Sequence, residues 1–343
     1  ESGSTSQSIN GGLDIKYGIN DAFTLDVTLI PDFGQVVFDN QVLNLTPFEI
    51  QFNENRQFFT EGTELFNKSG LFYSRRIGIQ APGAVLNNLL LTNERLSAVP
   101  SATQLYNATK LSGRTKSGLG IGVFNGVTAP QYAIAINQST SAEREVLVSP
   151  LSNFNVFVLD QNLKNNSYVN FTNTNVTRAG SFYDANVSSL KTMLNTKDNN
   201  YYVGGSTALS NKFFLDSTSF GHNWGLWAGK QRGAIVYSAS YFEESDTYDP
   251  NDLGYNQNNN RKISSASFSY RILKPFGSFI KVVSSIDLNY NRLYNPDVFT
   301  SFGFNVRTFA VTKNFNAFGI ESYVTPVKGY DYFEPRTPGY YYT

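Results

Sequence analysis

Residues 13–29 read LDIKYGINDAFTLDVTL, and their period decides the fold. Side chains alternate across an extended chain, so Leu13, Ile15, Tyr17 and Ile19 share one face and Asp14, Lys16 and Gly18 the other. After a turn at 20–22 the alternation returns, with Phe23, Leu25, Val27 and Leu29 against Thr24, Asp26 and Thr28. The stretch is predicted to be a β-hairpin with one apolar and one polar face.

The same period recurs along the chain. In SGLGIGVFNGV, Leu119, Ile121, Val123 and Val127 oppose Gly118, Gly120, Gly122 and Gly126. In ISSASFSYRI, Ala266, Phe268, Tyr270 and Ile272 oppose Ser265, Ser267, Ser269 and Arg271. In FIKVVSSIDLNY, Ile280, Val282, Ile286, Leu288 and Tyr290 oppose Lys281, Ser285, Asp287 and Asn289. About a dozen strands are predicted, many of roughly nine to eleven residues, the length that crosses a bilayer when tilted. Tight connections are expected at NDA, TKSG, KQRG, LKPFG and YNPD, and long polar ones at 129–150, 195–200 and 243–261. Aromatic residues gather near strand ends, as in NYNRLYNP. Both features fit an outer-membrane β-barrel. A soluble sandwich or propeller also alternates, but the long strands, the wet-looking polar faces and the lack of a blade-length repeat favour the barrel.

Composition narrows the function classes. The 343 residues are 41% apolar, 15% aromatic and 16% charged, against about 25% charged in ordinary soluble chains. Lys+Arg and Asp+Glu balance at 27 each, which gives no electrostatic case for nucleic acid. There is no Cys and one His, so thiolate sites and His-pair metal chemistry are excluded. No apolar run reaches a helical membrane span; AVLNNLLL is short and broken by Asn. The polar start, ESGSTSQS, is read as an internal boundary of a longer precursor.

Residues 31–66 break the strand pattern. They open on Asp32, Phe33 and Gly34, and the second half reads NLTPFEIQFNENRQFFTEG. Thr46, Pro47 and Glu49 have the spacing of a capped helix start. Phe48 and Phe52 would then share a face, and Arg56 would reach Glu49, Glu54 or Glu61. With Phe58, Phe59 and Gly62 the segment is too polar for lipid and too apolar to hang in water. It is predicted to fill the lumen as a plug, with gating or docking as the sharper function.

Four motifs in order carry a family likeness: GLDIKYGIN…FTLDVTLIPDFGQV, NLTPFEIQFNENRQFFTEG, LFYSRRIG and KLSGRTKSGLGIGVFNGVT. They resemble a large outer-membrane β-barrel family of unknown function from Bacteroidota. Its members usually carry an N-terminal domain like carbohydrate-binding module family 9, which is absent here. The likeness is dense over 10–128 and looser onward. It implies an outer-membrane barrel of a Gram-negative bacterium with no established enzymatic activity. The last residues, RTPGYYYT, look like a turn entering another strand, so the barrel is expected to be open at its C-terminus.

Four constellations remain. Asp246, Asp249 and Asp252 in a long loop could offer oxygens to Ca²⁺, but their spacing is not that of a calcium loop and a solvated loop is simpler. His222 beside Trp224 and Trp227 reads as part of an aromatic belt before it reads as a base or a sugar platform. Arg75 and Arg76 are expected on a strand, with one pointing inward to pair with the acidic detour or to face anions. The glycines of 118–126 lie on one strand face, as close packing against the detour requires, and lack phosphate-loop spacing.

The sequence therefore predicts an all-β, single-domain, transmembrane antiparallel β-barrel over 1–343, with 31–66 as a helix-containing plug. Its expected role is transport or membrane assembly, without enzymatic activity or cofactor. Its expected partners are outer-membrane lipid, other outer-membrane proteins and glycans. The alternative is a carbohydrate-binding surface β-protein using Tyr and Trp platforms. A surface hydrolase is the weakest alternative, because no acid pair stands out. The faces of the strands discriminate: an outward apolar band means lipid, and an inward one means a soluble core.

Overall fold

The computed structural model describes residues 12–30, 45–46, 48–78, 89–98, 103–335 and 339–343. Its first strands are β1 (Leu13–Asn20), β2 (Phe23–Leu29), β3 (Glu94–Ala98), β4 (Leu105–Arg114), β5 (Leu119–Thr128), β6 (Gln131–Asn137), β7 (Glu143–Ser149) and β8 (Ser152–Asn162). There follow β9 (Tyr168–Arg178), β10 (Asp184–Asn195), β11 (Tyr201–Phe213), β12 (Thr218–Lys230) and β13 (Ile235–Glu244). The last are β14 (Arg261–Ile272), β15 (Phe279–Arg292), β16 (Phe299–Thr312) and β17 (Ala317–Val324). Two single helical turns, α1 (Gln57–Thr60) and α2 (Glu64–Asn67), and a 3-10 turn at Ser74–Arg76 lie between β2 and β3.

Fourteen strands form one antiparallel sheet in the order β1-β2-β4-β5-β8-β9-β10-β11-β12-β13-β14-β15-β16-β17. Neighbours in space are neighbours in sequence, apart from two excursions at 30–104 and 129–151. These excursions supply a separate sheet of order β3-β6-β7. The predicted hairpin is β1-β2, in register from Leu13↔Leu29 through Lys16↔Asp26. Asn20 closes it by accepting the amides of Ala22 and Phe23 at 2.8 and 3.1 Å, which is how an Asx turn reverses a chain. Strands of the main sheet run from 7 residues in β2 to 14 in β15 and β16, a wider range than predicted. Among the described residues β1 and β17 each pair on one side only, so the sheet is open and not closed into a barrel.

Strands alternate in direction, so connections sort onto two rims. One rim carries only short turns: 21–22, 115–118, 163–167, 196–200, 231–234, 273–278 and 313–316. The other carries 30–104, 129–151 and 245–260, together with short turns such as 293–298. The predicted asymmetry is present, with two corrections. Residues 195–200 make a tight turn on the short rim, because Thr196 Oγ1 accepts the amides of Asn200 and Tyr201, both at 3.1 Å. YNPD, at 294–297, lies on the long rim.

One face of the sheet is largely apolar and exposed, and the other is covered and buries polar side chains together with apolar ones. On one face Leu226 is 57% exposed and Tyr270 49%; Val203, Phe220, Tyr237 and Phe268 are exposed with them. On the other, Asp160 and Asn170 have no exposed surface and Glu244 is 2% exposed, beside buried Lys110, Thr172, Thr174, Ser189 and Ser210. We call these the outer and inner faces. One tract of the outer face departs from the rule. Toward the long rim of β5, β8, β9 and β10, Asn125 donates to Asn153 (2.6 Å) and Asn155 (2.8 Å), and Asn173 to Asn186 (3.1 Å) and Ser188 (2.8 Å).

The loop at 245–260 lies directly on the inner face. A Cβ on Gly221 of β12 would overlap the backbone of Thr247 and Tyr248. Gly221→Ala is therefore expected to lower stability by about 1–3 kcal/mol, the usual cost of overpacking, and to open 245–260 to protease. Gly18→Ala in β1, with open space around it, is the control and should leave the melting temperature unchanged.

Candidate functional site: the inner face and its insertions

Residues 48–78 run along the inner face, and their local structure differs from the prediction. Asp32, Phe33, Gly34 and Pro47 lie outside the described residues. The chain over 48–56 is not helical, and Thr46 sits at a bend. Glu49 does not complete a capping box. Both of its oxygens accept from the Arg76 guanidinium at 2.7 Å, and such a bidentate, charge-assisted pair outweighs a single capping bond. Phe52 and Tyr73 are joined without a helix: the Tyr73 hydroxyl accepts from the Phe52 amide (2.9 Å) and donates to its carbonyl (3.2 Å). Helical turns come only at α1 and α2, and Arg56, the N-cap of α1, makes no side-chain cap there.

Arg56 instead holds the segment to itself. It donates to Glu54 (2.9 and 2.7 Å) and to the carbonyls of Ile77 (2.9 Å) and Ser74 (2.8 Å), and it stands 4.3 Å over the Phe59 ring. Glu54 also accepts from the Ser74 hydroxyl at 2.6 Å. Burial pushes the Glu54 carboxyl up, but the Arg56 and Ser74 hydrogen bonds and the Arg56 charge together hold it below its ordinary value. Arg75 and Arg76 lie in the 3-10 turn, not on a strand, because the chain turns there to bring both guanidinium groups back onto 49–54. Arg75 donates to the Asn53 carbonyl at 3.0 Å and lies 3.9 Å from Glu54. Arg76 also donates to the Gly254 carbonyl at 3.0 Å. These guanidinium groups are engaged in internal hydrogen bonds and ion pairs.

The segment is fastened to the wall by packing and by two buried charges. Phe59, Leu65, Phe66 and Ile77 form one core with Phe124, Val156, Val158 and Val176 of the sheet. The inner-face glycines make the space: a Cβ on Gly120 would lie 2.6 Å from Leu65 Cδ2, and one on Gly122 3.1 Å from the Phe66 ring. Asp160 of β8 accepts Lys68 of the segment at 2.6 Å and Arg114 of β4 at 2.5 Å. Lys110 of β4 donates to the carbonyls of Phe58 (2.7 Å) and Glu61 (2.5 Å), acceptors that the end of α1 leaves open. Gly62 follows at φ +59°, and a Cβ there would crowd Ser112 Oγ at 3.2 Å. Glu61 reaches Lys16 of β1 at 2.8 Å, and that hydrogen bond lowers its pKa. The sequence expectations missed Lys68, Lys110 and Asp160; for Lys110 and Asp160 an isolated charge within an alternating strand was the available signal, and Lys68, just after α2, had none.

The acidic loop is packed and paired rather than solvated. Tyr248 and Leu253 are buried, Tyr248 in a cluster with Leu71, Val187 and Ala208. Asp249 pairs with Lys212, and Asp252 pairs with Arg178 and accepts from the Tyr183 hydroxyl at 2.9 Å. Asp246 accepts from Asn295 at 2.8 Å. The sheet supplies the cations: Asp249 and Asp252 share Lys212, at 2.5 and 3.6 Å, while Asp246 turns away to Asn295. Among the described residues no group of three or more His, Cys, Asp or Glu is placed to hold a metal ion. His222 is on the outer face of β12, with Phe220 and Tyr294 rings beside it and Glu243 at 3.7 Å. Trp224 and Tyr241 donate to the same Glu243 at 3.3 and 2.7 Å.

Fold and site together define a class: a long antiparallel meander whose polar face is filled by its own insertions. The family model described as "Domain of unknown function (DUF5916)" matches residues 1–343, and the chain belongs to that family. Comparison with curated proteins and with solved structures finds no match.

Removing one partner of a fully buried ion pair costs about 3–5 kcal/mol. Lys68 and Arg114 are each about a quarter exposed, so Asp160→Asn is expected to cost nearer ~2 kcal/mol, with faster hydrogen exchange over 57–68. Lys16→Met, which breaks an exposed pair, should leave the melting temperature unchanged. Glu54 gives a pH signature. Its depressed pKa contributes stability above the unfolded value of about 4.3, lost as pH falls through the folded value. Melting temperature should therefore drop below about pH 4, and Glu54→Gln should be less stable at pH 7 and lose part of that acid limb.

Proposed function

We propose that the chain forms the wall of an outer-membrane β-barrel whose lumen is filled by residues 48–78 and 245–260. Its work is transport or assembly at that membrane, with the plug deciding passage. The observation that carries this reading is the sorting of the faces. Each large apolar side chain left in water forgoes roughly 1.5–3 kcal/mol of burial, and monomeric soluble proteins rarely expose a contiguous apolar patch above a few hundred Å². Here exposed apolar residues recur from β1 to β17, while the opposite face buries hydroxyls, amides and charges beside the apolar core of Phe124, Val156, Val158 and Val176. Lipid suits the first face and a filled, hydrogen-bonded lumen the second.

Two further features support it. The strands of β4–β16 in the main sheet have 10 to 14 residues, enough to cross a bilayer with tilt. Exposed aromatics stand toward both rims: Phe213, Phe214 and Phe220 at one, and Tyr201, Tyr237, Tyr270 and Phe318 at the other. No helix among the described residues is long and apolar enough to cross a membrane, which says nothing of a strand-built span. The asparagine tract on β5–β10 is the part of the outer face that suits a protein neighbour better than acyl chains. The Bacteroidota-like assignment rests on the motif resemblance.

Refolded protein should migrate with heat-dependent mobility on gels, float with liposomes, and show low conductance in planar bilayers. Asp160→Asn combined with Lys110→Met, which frees the plug from the wall, should raise conductance. A chain that folds as a monodisperse monomer without detergent would overturn the proposal. Unchanged conductance of a folded, inserted double variant would overturn the gating part.

A further inference from the structure

We infer that the long rim carries a binding site for a neutral oligosaccharide, in a cleft between 257–260, 293–296 and residues 332–333 and 339–340. The cleft has a volume of about 360 Å³, within the range of small-molecule sites. Asn258, Asn259, Asn260 and Asn295 line it on one side and Tyr332 and Tyr340 on the other. None of its lining residues carries a charged side chain. In a chain with 54 charged residues balanced at 27 of each sign, an uncharged cleft on a polar rim selects for an uncharged ligand.

The amides are fixed rather than loose. Asn260 donates to the Asn295 carbonyl at 2.8 Å and accepts its amide at 2.7 Å. Asn259 donates to the carbonyls of Asp246 (2.9 Å) and Tyr248 (3.0 Å), and the Asn295 side chain donates to the Asp246 carboxylate (2.8 Å). The Oδ1 atoms of Asn259 and Asn295 and the whole Asn258 amide keep hydrogen-bonding capacity, since they have no partner among the described residues. A carboxamide both donates and accepts, as a run of sugar hydroxyls requires. The C–H face of a sugar ring needs an aromatic surface. Tyr340 is 68% exposed and supplies one. Further rings continue from Tyr332 to Tyr341 (5.1 Å), Tyr330 (5.2 Å) and Phe299 (6.3 Å), toward an adjoining cavity of about 520 Å³ where Asn291, Ser301 and Tyr330 stand beside the charged Arg261, Arg292 and Asp331. That file gives room for more than one sugar unit.

This site shares the 245–260 loop with the filling of the inner face but does not depend on what the outer face meets, so the test uses detergent-solubilised protein with no membrane readout. Titration calorimetry would be run with maltoheptaose, cellohexaose, xylohexaose and mannohexaose, with polygalacturonate as the charged control. At least one neutral oligosaccharide should bind. Tyr340→Ala should weaken it by about tenfold or more, Asn258→Ala by about fivefold, and Tyr340→Phe should retain it. Circular dichroism and heat-dependent mobility should stay as in the parent protein. The inference is overturned if no neutral oligosaccharide binds at millimolar concentration, if only polygalacturonate binds, or if Tyr340→Ala and Asn258→Ala bind as the parent does.

Discussion

Asp160 has no exposed surface, yet it sits on a β-strand and is bridged by one cation from the wall, Arg114, and one from the insertion, Lys68. The rest of the structure depends on the constraint it illustrates. A sheet whose inner face is polar has to satisfy that face wherever water is displaced, because an unpaired buried charge costs several kcal/mol. The chain meets the requirement from its own length. Residues 48–78 bring Lys68 to the wall, the wall returns Lys110 to the carbonyls of α1, and the 245–260 loop brings Asp249 and Asp252 to Lys212 and Arg178.

Packing and electrostatics cooperate here. The glycines of β5 remove side chains where Leu65 and Phe66 press on the strand, so apolar contact and ion pair are made together. Gly221 does the same under the acidic loop. The two insertions also hold each other: Arg76 donates to Gly254, Tyr73 donates its amide to Leu253 at 2.6 Å, and the Tyr255 hydroxyl donates to the Glu49 carbonyl at 2.7 Å. Movement of either one therefore disturbs the other.

Strand identity and face were legible in the sequence because period two is a local property. The alternation at 13–29, 118–127 and 265–290 gave the right faces, and the one-sided glycines pointed to close packing with the detour. Local rules failed where long-range charge chemistry decided. The Thr46–Glu49 spacing has the form of a helix start, but Glu49 is taken by Arg76, 27 positions away. Arg75 and Arg76 look like strand residues until their partners at 49–54 are known. The acidic loop looks solvated because its cations, Arg178 and Lys212, come from distant strands. Asp160, Lys68 and Lys110 were invisible as a set for the same reason.

The central claim is that the apolar face of the sheet meets lipid and the polar face does not. The chain's two tryptophans divide between them: Trp224 shares the outer face with Leu226, and Trp227 lies on the inner face against Gly204. Single-tryptophan variants, Trp227→Phe and Trp224→Phe, in vesicles of brominated phosphatidylcholine report on each face separately. Strong quenching of Trp224 fluorescence with Trp227 spared is the predicted result. Quenching of neither, or of Trp227 in preference to Trp224, would contradict the account.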